Sequence, residues 1–255
     1  MTTRRKDTVR LPLPAAGALQ AYVSYSSTDK DFAVVYVHGF GATRLGVKSE
    51  ALEAACERRG WTFASFDFRG HGQSTGTMLE LRGSILLEDL DALREYLIGR
   101  GIRRFCPVGS SMGGWAAAWF AMRHPNTVPG CVLLAPALDF PRSRWAGLTE
   151  DERRLWQDTG RLRVRNEHVD TEIGYGLIEE KGLFQLDRLE EGLTQPVLIF
   201  QGLEDEVVAY SECLEFIKKA VQADVELHLF KNGDHRLLSY RDQMAEAACE
   251  FFVRL

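Results

Sequence analysis

Residues 104–124 read RFCPVGSSMGGWAAAWFAMRH. An apolar run breaks on a cluster of small residues around Met112 and then resumes as an Ala- and Trp-rich segment. A turn with only a structural role would more naturally carry Asn, Asp or Pro at its centre. Here Gly109, Ser111 and Gly113 fall in the spacing G-x-S-x-G. In that pattern a serine sits on a sharp strand-to-helix turn with its hydroxyl exposed. The glycines remove side chains where strand and helix crowd together, and Ala116, Ala117 and Ala118 let the helix lie close to the sheet.

The surrounding sequence supplies the sheet. "FAVVYVHG" is a continuous apolar run ending in Gly, which predicts a buried strand, and residues 47–59 follow as a helix. "WTFASFDF" is the next strand and 84–98 the next helix, with Ser84 and Glu88 as an imperfect cap. After the opening stretch come "GCVLLAPAL", "PVLIFQG", a helix over about 211–220, "VELHLF" and a last helix over about 240–252. At the N-terminus, "TVRLPLP" and "LQAYVSY" flank a turn at 15–17 and predict an antiparallel pair. Strand and helix taking turns predicts an α/β architecture, with a mostly parallel eight-stranded sheet and helices on both faces.

One interval breaks the alternation. About 50 residues separate "PALDF" from "TQPVLIF", far more than an ordinary connection. Thr149 and Glu152 form a capping box opening "EDERRLWQ", then come the alternating "RLRVRN" and the helical-looking "LIEEKGLFQLDRL". The expectation is a core over residues 1–138 and 193–255, with a lid insertion over 139–192 after the sixth strand.

Composition bounds the function. The chain has 255 residues, 45% hydrophobic and 26% charged, in the range of a soluble globular protein. A net charge of −5 leaves no basic footprint for nucleic acid. No apolar run approaches the roughly 20 residues that span a bilayer, and "MTTRRKDTVR" does not read as a secretory signal. Cys56, Cys106, Cys131, Cys213 and Cys249 are scattered, without metal-ligand spacing or a disulfide pattern. The expectation is a cytoplasmic protein with no metal and no cofactor. Oligomeric state is not legible.

In a parallel sheet the loops after successive strands emerge at one carboxyl edge, so distant residues meet there. Those loops are "HGFGATR", "DFRGHGQS", "GSSMGG", "PALDF", "GLEDEVV" and "NGDHRLL". A serine hydroxyl is a poor nucleophile until a base takes its proton. Of six histidines, His124 ends a helix, His228 lies in a strand, His168 lies in the insertion, and His38 and His71 sit in Gly-rich turns. His235 remains as the base, after Asn232 and Gly233, which would let it swing over the sheet edge. Asp205 is the first choice for the carboxylate that orients it, with Asp139 the competitor. Ser111, Asp205, His235 is the chain order of the α/β-hydrolase arrangement. The backbone N–H groups of Met112 and Phe40 are the candidate oxyanion donors. A dinucleotide loop is the rival reading of "HGFGATR", but Arg44 stands where its third glycine belongs.

"VHGFG", "FDFRGHGQSTG", "GSSMGGW", "GLEDEVV" and "GDH" together resemble the strand-end motifs of the serine α/β-hydrolase superfamily over essentially the whole chain. "GSSMGGW" with "KNGDHR" also resembles a narrower group, the palmitoyl-protein thioesterase and acyl-glucuronide esterase with its bacterial relatives. The resemblance implies Ser111 as nucleophile, His235 as base, Asp205 as its orienter, and Phe40 and Met112 as oxyanion donors. It leaves "RGHGQS" a structural role. The expected activity is hydrolysis of a small carboxylic ester or thioester through an acyl-enzyme. Amide or carbon–carbon bond hydrolysis with the same triad, and a ligand receptor on a hydrolase fold, are the alternatives.

The insertion adds a charge question. Arginines 142, 144, 153, 154, 161, 163 and 165 face only Glu150, Asp151, Glu152 and Asp158 in their interval, a formal charge of +3. Either they pair locally, or one or two face the catalytic pocket and bind a substrate carboxylate or phosphate. Trp145, Trp156, Tyr175 and Phe184 are either a wall for an acyl chain, with Trp145 and Phe40 as substrate contacts, or the insertion's own core.

Overall fold

The computed structural model describes residues 4–14, 17–26, 31–166 and 169–255. Along the chain lie β1 (Lys6–Pro12), β2 (Ala18–Ser24), β3 (Phe32–Val37), α1 (Val47–Arg59), β4 (Thr62–Phe66), α2 (Gly83–Ile98), β5 (Arg104–Ser110), α3 (Met112–Arg123) and β6 (Cys131–Leu134). Then follow α4 (Phe140–Ala146), α5 (Glu150–Thr159), β7 (Arg161–Arg165), β8 (Asp170–Gly174), α6 (Gly176–Glu179) and α7 (Leu186–Gly192). The chain closes with β9 (Val197–Gly202), α8 (Tyr210–Lys219), β10 (Val225–Phe230) and α9 (Arg241–Val253). Ala15, Ala16 and His168, named above, lie outside the described residues.

Eight strands form one sheet in the order β1-β2-β4-β3-β5-β6-β9-β10. It is parallel from β4 to β10, and β2 runs antiparallel to both β1 and β4. Successive side chains of a strand point to opposite faces, so a strand covered on both sides must be apolar throughout. Strand β3 obeys this. Phe32, Val34 and Tyr36 join one core beneath α1 and α9, while Ala33, Val35 and Val37 join the other with α2, α3 and α8. Each fully buried Val, Leu or Phe of this kind contributes roughly 1.5–3 kcal/mol. The five cysteines are buried free thiols spread through both layers, on α1, β5, β6, α8 and α9. Among the described residues no helix is long and apolar enough to cross a membrane.

The segment between β6 and β9 has its own structure, with β7 and β8 pairing antiparallel as a separate hairpin. The Thr149 capping box forms as expected: the Glu152 N–H donates to Thr149 Oγ1 at 3.3 Å and the Thr149 N–H to Glu152 Oε2 at 2.8 Å. The stretch "LIEEKGLFQLDRL" is not one helix. It divides into α6, a 3₁₀ turn at Glu180–Gly182, and α7. Phe184, beyond that turn, is buried with its ring 5.1 Å from Trp115 and 5.2 Å from Trp119. It is core, not an open acyl wall.

The same segment corrects the reading of α2. Ser84 does not cap its own helix. Its amide and hydroxyl both donate to Glu180, at 2.8 and 2.6 Å, and the helix starts at Gly83. A carboxylate far along the chain thus satisfies the helix N-terminus, where its charge also suits the dipole. Arg82 pairs with Glu179 at 3.0 Å beside it. Within the same segment, a side chain added at Gly41 would meet Val169 at 2.2 Å, so Val169, just before β8, rests on the loop after β3.

Candidate active site

The turn at Ser111 comes from steric demands of the sequence. A Cβ at Gly109 would sit 2.2 Å from the Gly113 carbonyl oxygen, and one at Gly113 would sit 2.2 Å from that of Val37. Only glycine lets α3 approach β5 and β3 this closely. Ser111 itself has φ 54° and ψ −116°, a conformation costing a non-glycine residue about 1–3 kcal/mol. Its neighbours hold it there. The Ser111 amide donates to Leu134 O at 2.9 Å, and its carbonyl accepts from Gly114, Trp115 and Ala137 at 2.9, 3.1 and 3.2 Å.

The loops after β9 and β10 bring the other two residues to the serine. His235 Nε2 lies 3.0 Å from Ser111 Oγ, and His235 Nδ1 lies 2.9 Å from Asp205 Oδ2. Next to a carboxylate Nδ1 must carry the proton, which leaves the Nε2 lone pair facing the hydroxyl. Asp205 has a fully buried side chain. Burial pushes its pKa up, but the hydrogen bonds from His235 and from the Val208 and Val207 amides together outweigh burial and hold it below the ordinary aspartate value. Those amides donate to Oδ1 at 2.8 and 2.9 Å, and Gln201 Nε2 donates to Oδ2 at 2.8 Å.

Gly233 does not act as a swivel for His235. It is buried, and a Cβ at Gly202 would lie 2.1 Å from its carbonyl oxygen. The glycine pair lets the last loop cross tightly over the end of β9, fixing His235 rather than freeing it. Asp139, the competing carboxylate, lies elsewhere. It borders a cavity of about 600 Å³ with Arg142, Trp145, Lys181, Glu190 and Lys219, and burial pushes its pKa up to about 6. Neither Ser111, Asp205 nor His235 lines that cavity, and Trp145 packs there against Trp156 and Tyr175 at 6.3 and 6.1 Å.

The two proposed oxyanion donors lie in segments next to the serine. Met112 opens α3, and Gly39 places the Phe40 loop so close that a Cβ there would be 3.3 Å from Ser111 Cβ. Neither the Phe40 nor the Met112 amide donates to an acceptor among the described residues. The Phe40 loop is locked from below. His38, fully buried, has Nδ1 at 2.8 Å from Gly39 O and accepts the Phe68 amide on Nε2 at 3.0 Å. Burial, with His71 nearby, pushes its pKa down to about 3, so it stays neutral and donates to Gly39.

Arg44 closes the loop. Its amide and guanidinium both bond Asp67 at 2.7 Å, and both side chains are buried. Removing one member of a buried pair typically costs about 3–5 kcal/mol, because the other charge is left unpaired. Asp67→Ala is therefore expected to lower the unfolding free energy by about that much in urea titration. A change below about 1 kcal/mol would refute this role for the pair.

A lysine absent from the sequence reading also enters the site. Lys48, at the start of α1, donates to Ser110 Oγ at 2.6 Å, beside the turn that carries Ser111. Burial, with Arg236 adding and Asp234 opposing, lowers its pKa from 10.5 to about 8. Between those two values the unfolded chain holds a proton that native Lys48 has released, so stability from this group rises with pH across that window. Below about pH 8 both states are protonated and the contribution is constant. Lys48→Met is expected to remove this rise, measured as the wild-type minus variant unfolding free energy on either side of the window. A difference that is flat with pH would overturn the assignment.

A model of the serine aminopeptidase S33 family matches residues 28–166, the stretch from before β3 to the end of β7 that contains Ser111. The chain belongs to this family. It is a serine α/β-hydrolase that resembles thioesterases. Palmitoyl-protein thioesterase ABHD10, mitochondrial, of Mus musculus is 28% identical over 213 residues, covering 82% of this chain and 70% of the relative. A putative hydrolase from Agrobacterium vitis S4 superposes with a TM-score of 0.85 at 25% identity, covering 97% of this chain and 98% of that one. The α/β-hydrolase domain-containing protein 10 from mouse gives 0.82 at 24% identity, with 97% of each chain covered. The Gln201–Asp205, Lys48–Ser110 and Arg44–Asp67 contacts are the parts of this hydrolase's candidate site that the sequence did not reveal.

Proposed function

We propose that this hydrolase cleaves carboxylic esters or thioesters through an acyl-enzyme on Ser111. The observation that carries the proposal is the continuous relay from Asp205 Oδ2 through His235 to Ser111 Oγ, with contacts of 2.9 and 3.0 Å. His235 Nε2 takes the hydroxyl proton as Ser111 Oγ bonds to the carbonyl carbon. The carbonyl oxygen becomes anionic between the Phe40 and Met112 amides, at the positive end of the α3 dipole. Collapse expels the alcohol or thiol, which takes the proton from His235. Water, deprotonated by the same imidazole, then releases the acid. Asp205 stays ionised throughout and offsets the imidazolium charge.

The name of the mouse relative supports a thioester among the substrates. The residues between β6 and β9 would act as a lid, since Arg144 and Val169 both contact the Phe40 loop. Five buried free thiols support a reducing compartment, the cytoplasm in this reading. The test is a fluorophosphonate probe with peptide mapping, together with rapid-mixing kinetics on esters, thioesters and amides. Labelling at Ser111 and a burst of leaving group equal to the enzyme concentration are expected. No burst and no labelling would favour a receptor on the same fold.

A further inference from the structure

Six of the seven arginines between residues 142 and 165 have a carboxylate partner. Arg142 meets Asp139 at 3.9 Å, Arg153 and Arg154 meet Glu150 at 4.0 and 3.4 Å, and Arg161 meets Glu172 at 3.7 Å. Arg163 and Arg165 meet Asp170 at 2.8 and 3.9 Å. Arg144 is different. Among the described residues it has neither a carboxylate within ion-pair distance nor an acceptor for its N–H groups. Its guanidinium carbon lies instead 4.8 Å from the centre of the Phe40 ring and 5.9 Å from that of Phe140.

That position is costly and well placed. Arg144 is partly buried, and burial alone pushes its pKa down. An unpaired guanidinium held away from water loses hydration that two ring faces only partly replace. Phe140 and Arg144, one helical turn apart on α4, present the charge to the loop of Phe40, whose amide is a proposed oxyanion donor. Stacking occupies the face of the guanidinium and leaves its N–H edge for a planar or tetrahedral anion.

We infer that Arg144 determines specificity by binding a carboxylate or phosphate carried by the ester or thioester substrate, an inference that rests on the hydrolase reading above. The anion completes the ion pair that the fold leaves open, and it orients the scissile carbonyl beneath Phe40.

The test compares matched pairs. One pair is the mono-4-nitrophenyl ester of glutaric acid against 4-nitrophenyl valerate, with the charge on the acyl side. The second is the butyrate of 4-hydroxybenzoate against that of 4-hydroxybenzamide, and the third the butyrate of 4-hydroxyphenyl phosphate against that of 4-hydroxyanisole. In at least one pair, the ratio of kcat/KM, anionic over neutral, is expected to fall about 10- to 150-fold in Arg144→Ala, the range of a charge-assisted hydrogen-bonded contact. Arg144→Lys should fall between, and Arg154→Ala should keep the wild-type ratio. The pair that responds identifies the side and chemistry of the anion. A ratio within about threefold of wild type in all three pairs would overturn the assignment and leave Arg144 as packing for Phe40. A second arm needs no turnover. In the Ser111→Ala protein, calorimetric binding of at least one of the three anionic esters is expected to weaken about 10-fold or more on adding Arg144→Ala, and unchanged affinity for all three overturns the inference. Absence of probe labelling and of any ester hydrolysis would instead remove the hydrolase reading, whatever this binding arm gives.

Discussion

Ser111→Ala is expected to lower kcat by roughly four to six powers of ten, with the melting temperature almost unchanged. Alanine keeps the Cβ, so the backbone at φ 54° and the hydrogen bonds from Gly114, Trp115 and Ala137 persist. What disappears is the atom that bonds to carbon and the proton that His235 accepts. The residual rate would come from binding and the oxyanion donors alone. Ser110 cannot substitute. Its hydroxyl accepts from Lys48 at 2.6 Å, whereas the imidazole of His235 is engaged with Ser111 Oγ at 3.0 Å. A fluorophosphonate should label wild type at Ser111 and leave the variant unlabelled. Recovery of the label on Ser110 would overturn this reading of the turn.

Asp205→Asn should cost about three to four powers of ten in kcat, for a reason the hydrogen bonds make specific. Oδ1 accepts two amide protons, from Val207 and Val208, so an asparagine must keep its carbonyl oxygen there. Its NH₂ then faces His235 Nδ1, which has to become an acceptor. The imidazole proton moves to Nε2 and points at Ser111, the wrong tautomer for a base. The same NH₂ also meets the Gln201 amide donor, now 2.8 Å from Oδ2. Asp139→Asn is expected to change kcat by less than about fivefold, since Asp139 lines a cavity without triad residues. Steady-state kinetics on one ester for both variants checks this, and a reversal of the two effects would remove Asp205 from the triad.

The legible part of this protein was what local pattern and chain order determine. Apolar runs ending in glycine located the strands, G-x-S-x-G located the turn, and the strand-end loops placed Ser111, Asp205 and His235 along one edge. What stayed hidden depends on contacts between distant segments. Glu180 caps α2 at Ser84, and nothing near residue 84 announces it. Lys48 looks like an ordinary surface residue of α1 until β5 brings Ser110 to it. Arg44 served to exclude a dinucleotide loop, while its own partner, Asp67, lies beyond α1 and β4. Gly233 looked like a flexible joint because a sequence does not display the β9 backbone pressed against it. Charge counting raised the arginine question, but only geometry could single out Arg144 from six paired neighbours.

The buried cysteines have a use beyond packing. Burial pushes the thiols of Cys131 and Cys213 up to about 12 and that of Cys106 well above its ordinary value, so the nucleophilic thiolate is scarce while the fold is closed. An alkylating reagent therefore reacts at a pace set by how often each region opens. Cys213 on α8, Cys131 in β6 and Cys106 in the central β5 sit in different parts of the two layers. Time-resolved mass spectrometry of iodoacetamide adducts would thus read the native protein as a set of independent clocks, ranking how readily each helix lifts from the sheet without a single engineered reporter.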